Sequence, residues 1–417
     1  MMRRCRRRCS LLGVESRRLA ERQLELDRQR TARFPALFAR KLLRMKVSPL
    51  AFLRGAAPLF YELLAATPEL AGGPEGHGYI QGDAHLENFG AYSPAVQEAG
   101  AWKKGHATFQ LNDFDEATHG AWRWDVLRLT TSLLLSGREL GKAGPEVLRL
   151  CRVLLDSHAA ALFGGAPPPA MPRPVLELVE KVDGRSQKKL LDDRTVAGGA
   201  PRHFVRGERY TDAPPDALRA VPAALALFAE RTAAKGGPKP EQLEILDVAF
   251  RIAGTGSLGA LRLAVLTRGK GGDEGSWLFD LKEQISCSVD VLAPRAAGSP
   301  RAAEVEEAFR ACVEAPPRML GTSKLGEVDV LVRRLTPQED KLSLSKLKPE
   351  ELGPLASYLG ALLGAAHRRG RSADFGAWSP RDLGGILERA ITLAGIHEAA
   401  YLDLCWLTRD TPASTTA

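Results

Sequence analysis

Gly82-Asp83-Ala84-His85-Leu86-Glu87-Asn88 decides how this 417-residue chain is read. A short strand pattern, Gly78-Tyr79-Ile80-Gln81, runs into Asp83, and Asn88 follows five positions later. A loop at a strand end can turn both side chains into one pocket. There an Asp can orient a hydroxyl and take its proton, while an Asn amide oxygen ligates magnesium on phosphates. The competing reading is an Asx-rich turn in which the same side chains cap backbone groups. Working outward, a second strand pattern at 108–111 leads into Asn112-Asp113-Phe114-Asp115-Glu116. Carboxylates at a strand end, after an Asp…Asn loop, supply further metal ligands, so Asn88, Asp113 and Asp115 form the candidate magnesium set. A lone Asp-Phe-Asp is usually a solvated turn. The two motifs in this order and separation carry much more than either.

A third motif lies far downstream. Gly254-Thr255-Gly256-Ser257-Leu258-Gly259 separates strand patterns at 248–253 and 260–266. In a dinucleotide-binding fold a helix should follow such a loop. Here a strand follows, and strand, glycine loop, strand is how kinases cover phosphates with backbone. Gly254, Gly256, Ser257 and Gly259 are therefore candidate nucleotide contacts, against the alternative of a plain hairpin turn. Lys282, on the next strand pattern (277–285), is the candidate partner of the α- and β-phosphates. Such a Lys is usually paired with a helix Glu, and the helical pattern at 301–314 offers Glu304, Glu306 and Glu307, of which Glu306 or Glu307 is favoured.

Gly82-Asp83-x-His85-x-x-Asn88 followed by Asp113-Phe114-Asp115 resembles the catalytic and metal loops of aminoglycoside phosphotransferases and other protein-kinase-like enzymes. A closer resemblance is to the bacterial family called domain of unknown function 2252. It rests on the run from Arg44 to Ala56, on Gly82 to Gly90, on Asn112 to Ala117, and on Trp124-Asp125-Val126-Leu127-Arg128-Leu129. It covers most of the chain from about residue 25. The order of parts is inverted relative to a kinase, whose glycine loop and Lys come first. One cut explains this. Residues 355–367 resemble the helix that precedes the catalytic loop in aminoglycoside phosphotransferases, yet lie near the C-terminus. The resemblance implies an α+β, bilobal protein-kinase-like fold in circularly permuted order. The expected division is a basic helical extension (1–46), a catalytic-loop part of a helical lobe (47–165), a linker or insert (166–244), a small antiparallel β lobe over the nucleotide (245–345), and a helical completion (346–417).

Charge and composition narrow the partners. The formal net charge is +8, yet residues 1–46 hold 15 Lys+Arg against 4 Asp+Glu, while the remainder holds 43 against 46. The basic excess is thus local, it lacks aromatic interleaving, and no nucleic-acid partner is expected. On this reading the basic segment lies outside every motif that carries chemistry. No apolar run approaches the roughly 18 residues that span a bilayer, and the six scattered cysteines read as reduced thiols, so a cytoplasmic location is expected. Supporting roles fall to His85 (loop bracing rather than metal ligation), Arg54 (pairing with a catalytic-loop carboxylate) and Asp125 (holding backbone from a helix beneath the metal loop). Arg333, Arg334 and Lys341 are candidate phosphate or substrate contacts, against a solvated face. The basic stretch 181–206 is either an acidic-substrate surface or a mobile loop.

The expected activity is ATP- and Mg2+-dependent transfer of the γ-phosphoryl group to a hydroxyl of an acceptor the sequence does not identify. Asp83, Asn88, Asp113 and Lys282 carry it. Three alternatives stay open: nucleotidyl (AMP) transfer in the same pocket, an inactive nucleotide-binding module, and a metal-dependent hydrolase built on Asp83, His85, Asp113 and Asp115.

Overall fold

The computed structural model describes residues 2–98, 101–197, 201–272, 274–295 and 298–410. Cys5 and Cys9, like the other side chains of residues 2–15, lie outside the described residues. The architecture is α+β, and its principal sheet has six strands, all antiparallel. Their spatial order is Leu320–Leu325, Val328–Leu335, Trp277–Glu283, Arg262–Thr267, Ile245–Arg251 and Tyr210–Asp212. Strand alternation gives this sheet two unlike faces. Trp277, Phe279 and Leu281 join Val330 and Val332 in one apolar layer, against Val221, Leu225 and Phe228 of helix Pro215–Thr232. That helix forms because apolar residues recur at three and four, with Pro215 and Asp216 suited to its first turn. Fully burying a side chain such as Phe228 or Phe279 contributes roughly 1.5–3 kcal/mol.

The opposite face is half apolar and half charged. Ala249, Ala264, Leu266, Leu278 and Leu335 are covered by Leu191, Phe204 and Tyr210. The described residues of the stretch read as mobile or substrate-binding are folded onto the sheet, with helix Gln187–Asp192, ion pairs from Arg202 to Asp192 and from Arg206 to Asp247, and beyond it the edge strand Tyr210–Asp212. Most of 166–244 is structural rather than linking.

The remainder is mainly helical. Helix Trp122–Glu139 is buried almost all round, and helices Gly144–Gly164 and Leu352–Arg369 pack closely against one another. Gly360 and Gly364 permit this, since a Cβ at either would lie 2.2–2.3 Å from the carbonyl oxygens of Leu154 and His158. The end of Leu352–Arg369 meets the strand that leads into the first motif: Tyr79 N donates to Gly370 O at 2.8 Å. That strand, His77–Ile80, pairs with Thr118–Ala121; a three-stranded sheet orders Asp340–Lys341, Phe89–Tyr92 and Thr108–Leu111.

Residues 16–46 are not an appended tail. Helix Met2–Arg30 and helix Ala36–Met45 share a core with helix Pro380–Leu407 through Ala20, Leu24, Leu42, Met45, Ala400 and Leu404. Lys41 and Asp27, both almost wholly buried, form an ion pair at 2.6 Å, and Gln23 donates to the same carboxylate. Breaking such a pair leaves an uncompensated buried charge, at a cost of about 3–5 kcal/mol. The described cysteines, Cys151, Cys287, Cys312 and Cys405, are unbridged. No helix among the described residues is long and apolar enough to cross a membrane.

Candidate active site

The loop 82–88 is set from beneath. Asp125, on helix Trp122–Glu139, accepts from Gln81 N at 2.6 Å and from Gly82 N at 2.8 Å. Gly82 itself has φ +75, and a Cβ there would lie 2.0 Å from Glu116 O, so only glycine allows the two loops to touch. Gln81 Nε2 donates to Asp113 O at 2.8 Å, and Asn88 Nδ2 donates to Asp83 O at 2.8 Å. The two loops, apart in sequence, are thus one hydrogen-bonded unit.

Asp83 is held by Arg128, whose Nε and Nη2 reach Oδ1 at 2.7 and 2.5 Å; Nη2 also donates to Leu53 O at 2.8 Å. Burial pushes the Asp83 carboxyl up to about 6, with Arg128 opposing. His85 accepts from Glu87 N through Nδ1 at 3.2 Å, which leaves the proton on Nε2, 3.7 Å from Asp83 Oδ2. Burial, reinforced by Arg54 and Arg128, holds His85 well below the usual histidine range, so it is neutral. It braces the loop and faces the Asp83 carboxylate. Arg54 pairs with Glu87 of the same loop.

Asp113, Asp115 and Lys282 meet directly. Lys282 Nζ contacts Asp115 and lies 3.9 Å from Asp113 Oδ1. Burial alone would raise Asp113, but Lys282, Lys341, Arg262 and Arg333 hold its carboxyl below the usual range. Burial likewise lowers Lys282, with Asp113 pulling the other way. The expected helix partner is a correction: neither Glu306 nor Glu307 touches Lys282. Glu306 pairs with Arg310 at 2.7 Å and Lys235 at 3.3 Å, and Glu307 accepts from Tyr79 Oη at 3.2 Å. Glu304 is taken by Thr118, Arg295 and Arg301. Asp113 and Asp115 are themselves the partners of Lys282.

The glycine loop spans the strands as expected and faces the same cleft. Asp83, Asn88, Asp113 and Asp115 line a cavity with Gly254, Gly256 and Ser257, and with Arg30 and Arg54. An adjoining cavity shares Asp113, Asp115, Gly254 and Lys341 and adds Lys282. Gly259 does other work. Its φ is +108, and a Cβ would lie 2.2 Å from Arg30 O, so it seats the end of helix Met2–Arg30. Arg44 caps Gly254 O. The basic segment is therefore part of the loop's support, contrary to the expectation that it lies outside the chemistry.

Sequence reading underused one layer. Arg251, Arg262, Asp280, Lys282 and Arg333 fall on one face of adjacent strands, and Asp280 takes Arg262 at 2.6 Å and Arg251 at 2.7 Å. Burial would raise Asp280, but the two arginines keep it far below the ordinary carboxylate range. Alternation along the strand patterns is the signal that places these charges together.

The donor chemistry fits a hard cation with phosphates: two carboxylates and an amide beside Lys282 and Lys341, under a glycine-rich backbone. Among the described residues no three His, Cys, Asp or Glu side chains converge to cage a metal by themselves. Magnesium bound through one or two carboxylates plus substrate phosphates needs no such cage.

Fold and site define an α+β protein with a charged cleft between an antiparallel sheet and a helical body. The chain belongs to the family described as "Uncharacterized protein conserved in bacteria (DUF2252)", whose model matches residues 33–395. No curated protein and no solved structure matches the chain.

Proposed function

We propose that this chain is a phosphotransferase of permuted kinase-like organisation, moving the γ-phosphoryl group of ATP to an acceptor hydroxyl with magnesium. The observation that carries this reading is convergence. Two motifs from 82–115 and a glycine loop and lysine from 254–282 line one continuous cleft. The hydrogen bond from Tyr79 N to Gly370 O supports the permuted order, because it puts the end of helix Leu352–Arg369 beside the strand feeding the catalytic loop.

In this reading Arg128 fixes Asp83 through Oδ1, so Oδ2 is the atom that takes the acceptor proton. Asn88, Asp113 and Asp115 would hold magnesium, and the loop Gly254–Gly259 with Lys282 would hold the nucleotide phosphates. Magnesium supplies charge neutralisation on the transferred group. Lys282, now bound to Asp115, exchanges that contact for phosphate oxygens. Arg54 and Arg30 add positive charge on the loop side of the cavity. The glycine loop lining the same cavity as the carboxylates favours this reading over a metal-dependent hydrolase, which calls for no such loop.

Calorimetric titration with Mg-ATP tests this on the wild type and on Asp113→Ala. Saturable binding that needs magnesium, and that falls at least tenfold in the variant, is expected. Absence of magnesium-dependent binding by the wild type sinks the reading.

A further inference from the structure

Strand Val328–Leu335 carries two adjacent arginines with opposite destinations. Arg333 faces the cleft and pairs with Glu339 at 3.0 Å. Arg334, one position on, emerges on the other face of the sheet, behind the segment 336–338. There it lies over Trp277, its guanidinium carbon 4.3 Å from the ring centroid. Its Nε is buried without a hydrogen-bond partner. Arg318 lines the same cavity and makes one long bond, from Nε to Gly236 O at 3.3 Å. Among the described residues no carboxylate forms an ion pair with either. Lys239 and Lys270 add charge to the lining, and among the described residues Glu274 is its one acidic member.

Buried guanidinium groups are normally matched by a carboxylate, because an unmatched one forfeits hydration without recovering it. Here Arg334, its Nε buried, faces a second, half-buried cation, Arg318, close enough to repel it. Burial, with Arg318 adding to it, lowers the Arg334 guanidinium to about 10, so it stays cationic at neutral pH. Arginine forks match phosphate oxygens bidentately, and a divalent anion would neutralise both at once.

We infer that the cavity lined by Arg318, Arg334 and Trp277 binds a small phosphate-bearing anion, at a site separate from the cleft. The segment between the two is short. Thr336, Pro337 and Gln338 line this cavity, and Glu339, Asp340 and Lys341 line the cleft. The inference needs no ATP in the cleft and stands whether or not the phosphotransferase reading holds.

Sodium pyrophosphate without divalent cations is the probe, read by hydrogen exchange and calorimetry on the full chain. Backbone amides of 318–320, 334–336 and 338 are expected to gain protection in the wild type. Arg318→Gln and Arg334→Gln should each lose that protection and weaken binding by about tenfold or more. Arg318 is half-buried with one backbone bond, so its variant is the safer folder. Protection confined to 254–259 and 282, or protection at 334–338 that survives in both variants, overturns the site. So does the absence of saturable binding. A parallel titration with ADP separates the sources: binding tenfold tighter than pyrophosphate that is lost in Arg334→Gln assigns the site to nucleotides, and equal or weaker binding, or binding unaffected by that variant, assigns it to inorganic phosphates.

Discussion

Asp125 and Gly82 are joined by a 2.8 Å hydrogen bond from the glycine N–H to a fully buried carboxylate, and the other oxygen of that carboxylate serves Gln81. His367 Nε2 lies 3.1 Å from Asp125, and His158 Nε2 is 3.0 Å from His367 Nδ1. Asp125→Ala would leave two buried N–H groups unmet and His367 without its partner. A loss of about 3–5 kcal/mol is expected, read by urea unfolding. A change below 1 kcal/mol would mean the loop does not depend on this carboxylate.

Arg128→Lys keeps the charge near Asp83 but removes the planar fork that serves Asp83 and Leu53 O together. The variant should fold, bind Mg-ATP like the wild type, and lose roughly 100-fold in kcat through misplacement of Asp83. Steady-state kinetics with any acceptor that supports turnover decides this. A defect in KM alone would assign Arg128 to binding.

Gly259→Ala tests the seat of the N-terminal helix. A Cβ would strike Arg30 O, and φ +108 is strained for alanine. Roughly 2 kcal/mol or more should be lost. Limited proteolysis should cut within helix Met2–Arg30 faster than in the wild type, and equal cutting rates would contradict the described contact.

Acid sensitivity should have an identifiable source in His397. Burial pushes it down from 6.5 to about 4, and its ring packs near Phe52 and Phe60. Between those values the unfolded chain binds the proton and the folded one does not. Stability from this group is therefore complete above pH 6.5 and falls as pH drops toward 4, by up to about 3 kcal/mol. His397→Phe should flatten the slope of unfolding free energy against pH in that window. An unchanged slope would place the titration elsewhere.

Arg334→Met should raise the stability of the ligand-free protein by about 1 kcal/mol, since it removes a partly buried cation that lacks a counter-charge. Chemical unfolding without added phosphate measures it. A loss of stability would make Arg334 a structural group.

Much of this arrangement was legible in short-range pattern. Strand Val328–Leu335 and helix Arg301–Cys312 follow periodicity within the segment, as do the strands flanking the glycine loop. Phe89–Tyr92, Thr118–Ala121 and Leu320–Leu325 escaped because four to six residues carry little alternation and their pairing partners are distant. The partner of Lys282 escaped for a related reason. Three glutamates on one helix look equivalent in sequence, and only packing turns Glu304 to Thr118, Glu306 to Arg310 and Glu307 to Tyr79. In the N-terminal segment, dense positive charge on the solvated face masked the stripe through Ala20 and Leu24 and the buried Asp27–Lys41 pair.

The contact between Gly259 and Arg30 also has a mechanical side. Ser16 Oγ bonds Asp403 at 2.6 Å, Lys46 Nζ bonds Thr408 O at 3.0 Å, and Tyr401 Oη bonds Lys46 O at 3.0 Å, so the two ends of the chain are clasped together. Fraying that begins at the C-terminal helix loosens Met2–Arg30 next, and the loop at 254–259 loses its backing before the central helices are disturbed. Wear at either extremity is thus transmitted to the cleft first, and under the proposed function affinity for Mg-ATP should decay ahead of global unfolding.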